Sequence, residues 1–525
     1  MRETFRDYCR DIVRKPQFWI PWILLSVTGH LPSLVNTKLH FEDLLRDRYT
    51  GQAGVMWSGR WGFVLYEKLF AFHEVNDIWE KCLALLLLLL ASLAIGCLFY
   101  RVDAQKEKIA KYVVCCAGIV SFPLIAEIWN YNGANFVTCC NLLIVSLVLL
   151  FFESSEINYG LKLLITIFPM ALVASSYEAA LFSYVFLVLF FLWYQSRTGK
   201  SFGELMRKGV QLAIPLVLGI IMGTAIGHVI CRLRGIPYYR NGATSIAWLH
   251  EDFSIKLFIK SMLEKYFIRG AVYFPIAVLA GCIIIFVVMV IADCIRRKNP
   301  ESLLWGAFAF VSVFLQGLIQ GTAMPYRTAQ AVALFSGLTF FLILECLSAR
   351  KHLFYVALLA LLFLCFRQSA YLNNLNLLTY KLASQEERLI AQTGSALYAE
   401  HYGKPVLFPV ISWEEEKARD FYAMKEMKPG NGFLSEAYLN LHEKWFGEDV
   451  HDVTYTETVY RSALSVCMTD ADMMEQYFNY CGYPITVLDN GNLPSEYVET
   501  QILIDFGELH RYEIRDMGEY VVVVF

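Results

Sequence analysis

Five charged residues crowd one short stretch of the chain: Glu42, Asp43, Arg46, Asp47 and Arg48 fall within seven positions. A carboxylate held in such a place can take a proton from a hydroxyl while a second acid or an arginine orients that hydroxyl. Arginines elsewhere can grip a phosphate through bidentate, permanently charged contacts and stabilise it as it leaves. Arg60, Arg240 and Arg327 are the candidates for that work. Further residues able to bind substrate sit in short segments along the chain: Glu127 with Trp129 and Tyr131, then Tyr177 and Glu178, then Tyr238 and Tyr239. Each type also has a plainer use. The charge cluster equally suits an amphipathic segment lying on lipid headgroups, an arginine can be a snorkelling anchor, and tyrosine and tryptophan collect at every bilayer interface.

What must position these residues is a set of membrane-crossing helices. The chain has 525 residues, 57% hydrophobic and only 18% charged, with a mean hydropathy of +0.44, which is not the composition of a soluble protein. Net charge is -3, from 45 basic and 48 acidic residues, so nothing in the global balance suggests nucleic acid, which calls for a strongly basic face, and none is expected as a partner. The start, Met1 to Lys15, is polar and basic, and an apolar run begins near Phe18 without a small-residue cleavage site, as in an uncleaved first span. Apolar stretches at 78–100, 110–128, 134–152, 161–175, 179–195, 210–231, 270–293, 302–320, 328–347 and 351–367 each approach the ~20 residues that a bilayer core requires. The expected fold is therefore a polytopic α-helical membrane protein with about eleven spans over residues 1–367, seated in the plasma membrane.

Charge placement orients the spans. With a cytoplasmic N-terminus, the inner loops become Arg101–Lys111, Ser196–Lys208, Arg296–Lys298 and Arg350–His352, which gather most of the membrane-flanking lysines and arginines. An odd number of spans then puts residues 368–525 outside the cell, together with the loop 36–77 and every candidate residue named above. Carboxylates, arginines and aromatics near headgroups suit a substrate that is part lipid and part polar. In the C-terminal segment, Arg367–Leu378 reads as a link and Ser384–His401 as a helix. Lys404–Ile411, Pro484–Leu488 and Tyr520–Phe525 read as strands, so the segment is expected to be a soluble α/β domain. Most of the 14 cysteines lie inside apolar runs and no CxxC pair occurs, which argues against a zinc or redox site. Cys467 and Cys481 could pair outside the cell or remain two buried thiols.

The run Glu42-Asp43-Leu44-Leu45-Arg46, followed by Gly59-Arg60-Trp61-Gly62, resembles the acidic-pair-to-arginine and Gly-Arg-Trp signature of type II O-antigen glucosyltransferase-like membrane proteins. Ser176-Tyr177-Glu178-Ala179, opening a span, is similar to a Tyr-Gln pair of that family, and the order of spans followed by an outer domain agrees with it. Glu42 stands where the family has a first Asp, and Glu178 where it has Gln, so the catalytic role falls to Asp43 with Glu42 beside it. The resemblance covers the membrane part and implies a GT-C glycosyltransferase that moves a hexose, glucose by analogy, from a polyprenyl-phosphate sugar to a cell-surface glycan or glycolipid on the outer face of the bilayer. Asp43 would act as general base on the acceptor hydroxyl, which attacks the anomeric carbon and inverts it as the lipid phosphate departs. Arg60, Arg240 and Arg327 would hold that phosphate, while Arg46, Glu127, Tyr131, Tyr177 and Glu178 would bind substrate.

Nucleotide-sugar chemistry would call for a soluble nucleotide-binding fold, and no glycine-rich phosphate loop is present; Asp470-Ala471-Asp472 is too short a match to carry one. A divalent cation, Mg or Mn, bridging Asp43 and an acid such as Glu127 would fit carboxylate-plus-water coordination. The main rival is a transporter or flippase of lipid-linked sugars, which also needs many spans and polar groups. Against it stand few ionisable residues in mid-span, no repeat halves and a large outer domain.

Overall fold

The structure, a computed structural model, describes residues 2–36, 58–70, 77–103, 106, 108–130, 134–238, 254–408, 422–427, 433–447, 455–461, 471–488 and 512–524. They fall into two compact units: Met1–Val35, Val55–Asn376 and Asn440–Glu448 form the first, and Asn36–Gly54, Leu377–Leu439 and Asp449–Phe525 the second.

The first unit is a helical bundle. Its helices are α1 (Arg2–Val13), α2 (Pro16–Val35), α3 (Trp61–Phe70), α4 (Asp77–Val102), α5 (Ala110–Val120), α6 (Ala134–Ser154), α7 (Tyr159–Ala174), α8 (Ala179–Ser196) and α9 (Phe202–Arg234). They continue with α10 (Ile255–Phe267), α11 (Ile276–Arg297), α12 (Pro300–Ser312), α13 (Leu315–Gln320), α14 (Gln330–Cys346) and α15 (Lys351–Glu400), whose residues from Leu377 onward belong to the second unit. Among the described residues six helices are long and apolar enough to cross a membrane: the runs Ile78–Val102, Ala134–Ser154, Ala179–Ser196, Phe202–Arg234, Ile276–Arg297 and Lys351–Glu400. Leu86, Ile221, Ile284, Val288, Leu359 and Phe363 are exposed on four of them, an apolar surface that needs lipid around it.

The remaining expected spans take other forms. Stretch 110–128 is not one helix: α5 stops at Val120, and a 3₁₀ turn, Pro123–Asn130, follows. Stretch 302–320 breaks into α12 and α13. Every residue of α5 is buried, and so is nearly all of α14. Irregular backbone next to such helices is tolerated at membrane depth because protein, not lipid, surrounds it. Gly118 and Gly337 make this packing possible: a Cβ on Gly337 would lie 2.7 Å from the carbonyl oxygen of Cys115, and one on Gly118 would lie 3.1 Å from the Cα of Gly337.

Local sequence explains α9, one of the least buried spans. Ser201 caps α9 by accepting from the Glu204 amide, while the Glu204 carboxylate accepts from the Ser201 amide, a complete capping box. Gly235 ends the helix in the left-handed conformation at φ 64°. Gly219, Gly223 and Gly227 repeat every four residues and form the buried stripe of an otherwise lipid-accessible helix. A Cβ at Gly219 would sit 2.5 Å from the Met170 Cβ, and one at Gly223 2.8 Å from the Ala171 carbonyl oxygen, so α9 rests backbone to backbone on α7.

The expected link at Arg367–Leu378 is absent, because α15 runs unbroken from Lys351 to Glu400. The polar residues that suggest a linker are helix residues tied to α2: Ser369 Oγ donates to the Leu25 carbonyl at 2.6 Å, Asn373 Nδ2 to Thr28 at 2.6 Å and Asn376 Nδ2 to Gly29 at 3.3 Å. Lacking proline or glycine, the segment has nothing to interrupt it.

Charged groups sort the bundle into two ends. At one, Arg197 after α8 meets Asp293 of α11 at 2.6 Å and Glu345 of α14 at 2.8 Å, which makes these three helices parallel. Burial works against the Arg197 charge, but Glu345 and Asp293 outweigh it and raise its pKa. The same end holds Lys208–Glu153 at 2.6 Å, the buried pair Lys111–Asp103, and Tyr100 donating to Asp11 at 2.8 Å. Of these residues, Asp103, Lys111, Arg197 and Lys208 fall in the loops expected to be inner from charge alone. The other end carries Arg60, Glu127 and Arg327.

The second unit mixes helix and strand. Val406–Leu407 (β1), Glu513–Asp516 (β4) and Val521–Val524 (β5) form a sheet of order β1-β5-β4, parallel between β1 and β5 and antiparallel between β4 and β5. Val406 also bridges to Val487. Tyr422–Met427 (β2) and Tyr455–Arg461 (β3) pair antiparallel as a separate ribbon. Val406, Val521 and Val523 pack with Leu389 and Ile390 of α15 and with Tyr477 and Phe478 of a further helix, Ala471–Tyr480. Of the expected strands, Val406–Leu407 of that at 404–411 and Val521–Val524 of that at 520–525 lie in this sheet, residues 409–411 and 525 lie outside the described residues, and the stretch 484–488 touches the sheet through one bridge. Cys481 is a free thiol whose pKa burial pushes up to about 12; Cys467 lies outside the described residues.

Candidate functional site

Asp43, Glu42, Arg46, Arg240 and Tyr131 lie outside the described residues. Arg60, Glu127, Tyr177, Glu178 and Arg327 are described, and all belong to the first unit.

Arg60 stands in a run whose other members are fully used by packing. Gly59 adopts φ 77°, and a Cβ there would fall 2.8 Å from the Tyr238 hydroxyl, so both the backbone and the space demand glycine. Trp61 buries its ring and donates from Nε1 to the Gly223 carbonyl at 2.8 Å, inside the glycine stripe of α9. Gly62 donates its amide to Ser175 O at 3.0 Å, and a Cβ there would sit 2.6 Å from Ser175 Oγ. Arg60 alone is exposed, with no carboxylate partner among the described residues. Its guanidinium carbon lies 5.9 Å from the centre of the Tyr177 ring, a cation–π approach that steadies the side chain without neutralising it.

Tyr177 is positioned from below. Asn141 of α6, fully buried, donates through Nδ2 to Ser176 Oγ at 2.9 Å and to the Tyr177 carbonyl at 3.4 Å, and its Oδ1 accepts from Ser176 at 3.1 Å and Tyr66 at 3.4 Å. A fully engaged amide in an apolar bundle fixes the turn between α7 and α8 where Tyr177 and Glu178 sit.

Glu127 and Arg327 meet although 200 positions separate them: the Arg327 amide donates to Glu127 Oε2 at 2.9 Å, and Arg327 Nη1 lies 3.8 Å from Oε1. Glu127 lies in the 3₁₀ turn after α5 and Arg327 in the 3₁₀ turn before α14, so the irregular stretches replacing full spans are what bring these charges together. Nearby, Trp129 is fully buried against His30 with ring centres 4.5 Å apart. Lys265 Nζ lies 4.0 Å from the centre of the Tyr326 ring, and Tyr326 donates to the Lys265 carbonyl at 2.5 Å. Among the described residues no group of three His, Cys, Asp or Glu side chains converges as it would to hold a metal ion, and the Glu127 carboxylate already engages Arg327.

The structure therefore brings Arg60 to Tyr177 and Glu127 to Arg327, both beside the N-terminal half of α6: Asn141 supports the first pair, and Thr138, Cys139 and Leu142 share a cavity wall with Arg327. Sequence reasoning missed Asn141, Thr138, Gln330, Lys265 and the buried Glu67, Glu80 and Lys81. Polar residues within apolar runs are the signal that could have flagged them, since such groups persist there only with partners or a task.

Long apolar helices, an apolar lipid-accessible surface and polar groups sorted to two ends define a helical membrane protein. No protein-family model matches the chain, and no curated protein or solved structure matches it.

Proposed function

We propose that the protein is a membrane glycosyltransferase that transfers a hexose from a polyprenyl-phosphate donor to a surface glycan or glycolipid on the outer side of the plasma membrane. Its N-terminus is cytoplasmic, about eleven segments enter the membrane, and the C-terminal unit is extracytoplasmic. Asp43 is the general base, seconded by Glu42, and the transfer inverts the anomeric centre. Arg60, Arg240 and Arg327 bind the lipid phosphate, and the remaining candidates contact sugar and acceptor.

The observation that carries this reading is Arg60. Its neighbours are consumed by close packing, yet it stays exposed, steadied on Tyr177 and without a carboxylate among the described residues. An arginine held but not neutralised is what a phosphate needs.

The test is transfer of radiolabelled sugar from a polyprenyl-phosphate donor to envelope glycan, comparing wild-type membranes with Asp43→Asn at matched expression. Loss of transfer with the folded protein retained supports the base, and undiminished transfer removes Asp43 from the mechanism. Release of polyprenyl phosphate marks the enzyme, whereas a flippase would return the lipid-linked sugar intact.

A further inference from the structure

Beside the Glu127–Arg327 pair lies a cavity of about 30 Å³, room for about two small non-hydrogen groups. Its walls are almost wholly apolar, built by Leu88, Ile119, Ile128 and Leu334, with Arg327 at the rim. Two polar side chains interrupt them. Thr138 of α6 is 5% exposed and its hydroxyl has no hydrogen-bond partner. Gln330, the first residue of α14, has both its amide oxygen and its amide nitrogen buried and unpartnered. Leaving three such atoms unsatisfied costs about 1–3 kcal/mol each, so an occupant of the cavity that bonds them would be favoured.

The shape of the vacancy limits what that is. A sugar ring is too large, and a lone hydroxyl would not call for apolar walls on nearly every side. A hydroxymethyl arm matches both features: its methylene meets Leu88, Ile119 and Leu334, and its hydroxyl donates to the Gln330 carbonyl oxygen while accepting from the Gln330 amide or the Thr138 hydroxyl. Arg327 at the rim is one of the proposed phosphate ligands, so the arm would belong to the sugar attached to that phosphate.

Resting on the glycosyltransferase reading, we infer that this cavity receives the hydroxymethyl group of the transferred hexose, and that Thr138 and Gln330 make the enzyme select a hexose over its 6-deoxy counterpart. A site built to bond a substrate hydroxyl rejects the analogue lacking it far more strongly than a purely apolar pocket can.

The experiment compares polyprenyl-phosphate hexose with the 6-deoxyhexose of otherwise identical configuration, using purified full-length protein. Wild type should favour the hexose by at least about tenfold in kcat/KM, and the near-isosteric Thr138→Val/Gln330→Leu protein should bring that ratio towards one. Thermal stabilisation by each sugar donor, read without turnover, should show the same loss of preference and confirms that the variant is folded. A variant that keeps the wild-type ratio, or a wild type that moves both sugars equally well, overturns the assignment and leaves the cavity to ordered water. If wild type neither transfers nor binds either donor, the glycosyltransferase reading fails and the cavity assignment falls with it.

Discussion

Arg327 holds Glu127 in two ways, through its backbone amide at 2.9 Å and its guanidinium at 3.8 Å, and so clamps the turn before α14 to the turn after α5. The backbone contact matters more than the ion pair, because it sets where the Arg327 main chain runs and hence where the guanidinium can reach. Both side chains are partly exposed, at 32% and 18%, so the charge attraction alone is worth at most about 1 kcal/mol. Glu127→Gln, which keeps an accepting oxygen, should therefore melt close to wild type, whereas Glu127→Leu, which leaves the Arg327 amide without its acceptor, should lower sugar transfer roughly ten- to a hundredfold, as happens when a substrate-holding group moves by about 1 Å. Wild-type transfer by a folded Glu127→Leu protein would free Arg327 from any phosphate role.

Arg60 should divide charge from packing. Because it is exposed, Arg60→Ala should leave the unfolding temperature unchanged, and its effect should be seen in transfer and in affinity for polyprenyl phosphate. Arg60→Lys should restore only part of the activity, since an ammonium lacks the planar, bidentate contact. A loss of expression in Arg60→Ala would point instead to a folding role.

Gly223 makes the opposite demand. Its carbonyl accepts from Trp61 and its Cα side faces the Ala171 backbone, so Gly223→Leu has nowhere to place a side chain. The cost should be about 1–3 kcal/mol or more, seen as a lowered melting temperature in detergent. Gly281→Leu, where a Cβ meets nothing within 4 Å, is the matched control and should melt as wild type does.

The Arg197 junction should prove structural. Its guanidinium is 10% exposed and serves two carboxylates, so Arg197→Ala strands Asp293 and Glu345 and should destabilise by about 3–5 kcal/mol. Refolding of that loss by the triple neutral variant Arg197→Met/Asp293→Asn/Glu345→Gln would confirm that stranded charge, not lost packing, is the cause.

In the second unit, acid should act through Asp516. Its carboxylate accepts from Lys404 Nζ and from the Gly518 amide, which hold its pKa below the usual value. A carboxyl depressed in the folded state adds stability above its unfolded pKa, and that contribution disappears as pH falls through the folded one. Asp516→Asn should flatten the acid limb of the unfolding curve below about pH 4, and because the pair is exposed, added salt should weaken the wild-type effect. Identical acid limbs for the two proteins would show that Lys404 contributes nothing there.

Sequence alone was enough to identify the membrane class and the places of the long apolar helices, though not their number or the length of α15, and two segments that contribute strands to the C-terminal sheet. These follow from local rules: a bilayer core requires about 20 apolar residues, charges avoid it, and alternating or continuous apolar runs mark strands. The site was legible one residue at a time, as arginines, acids and tyrosines in short turns. Which of them meet was decided only by tertiary structure. Glu127 finds Arg327 across 200 positions because α5 stops at Val120 and α14 begins only at Gln330, and these two buried helices pack closely through Gly118 and Gly337. Asn373 and Asn376 read as linker until α2 supplies their acceptors, and Thr138 and Gln330 read as ordinary helix residues until a cavity leaves them without any. Hydropathy measures how well each residue suits lipid, whereas a polar group's purpose depends on which partner the fold brings within hydrogen-bonding reach.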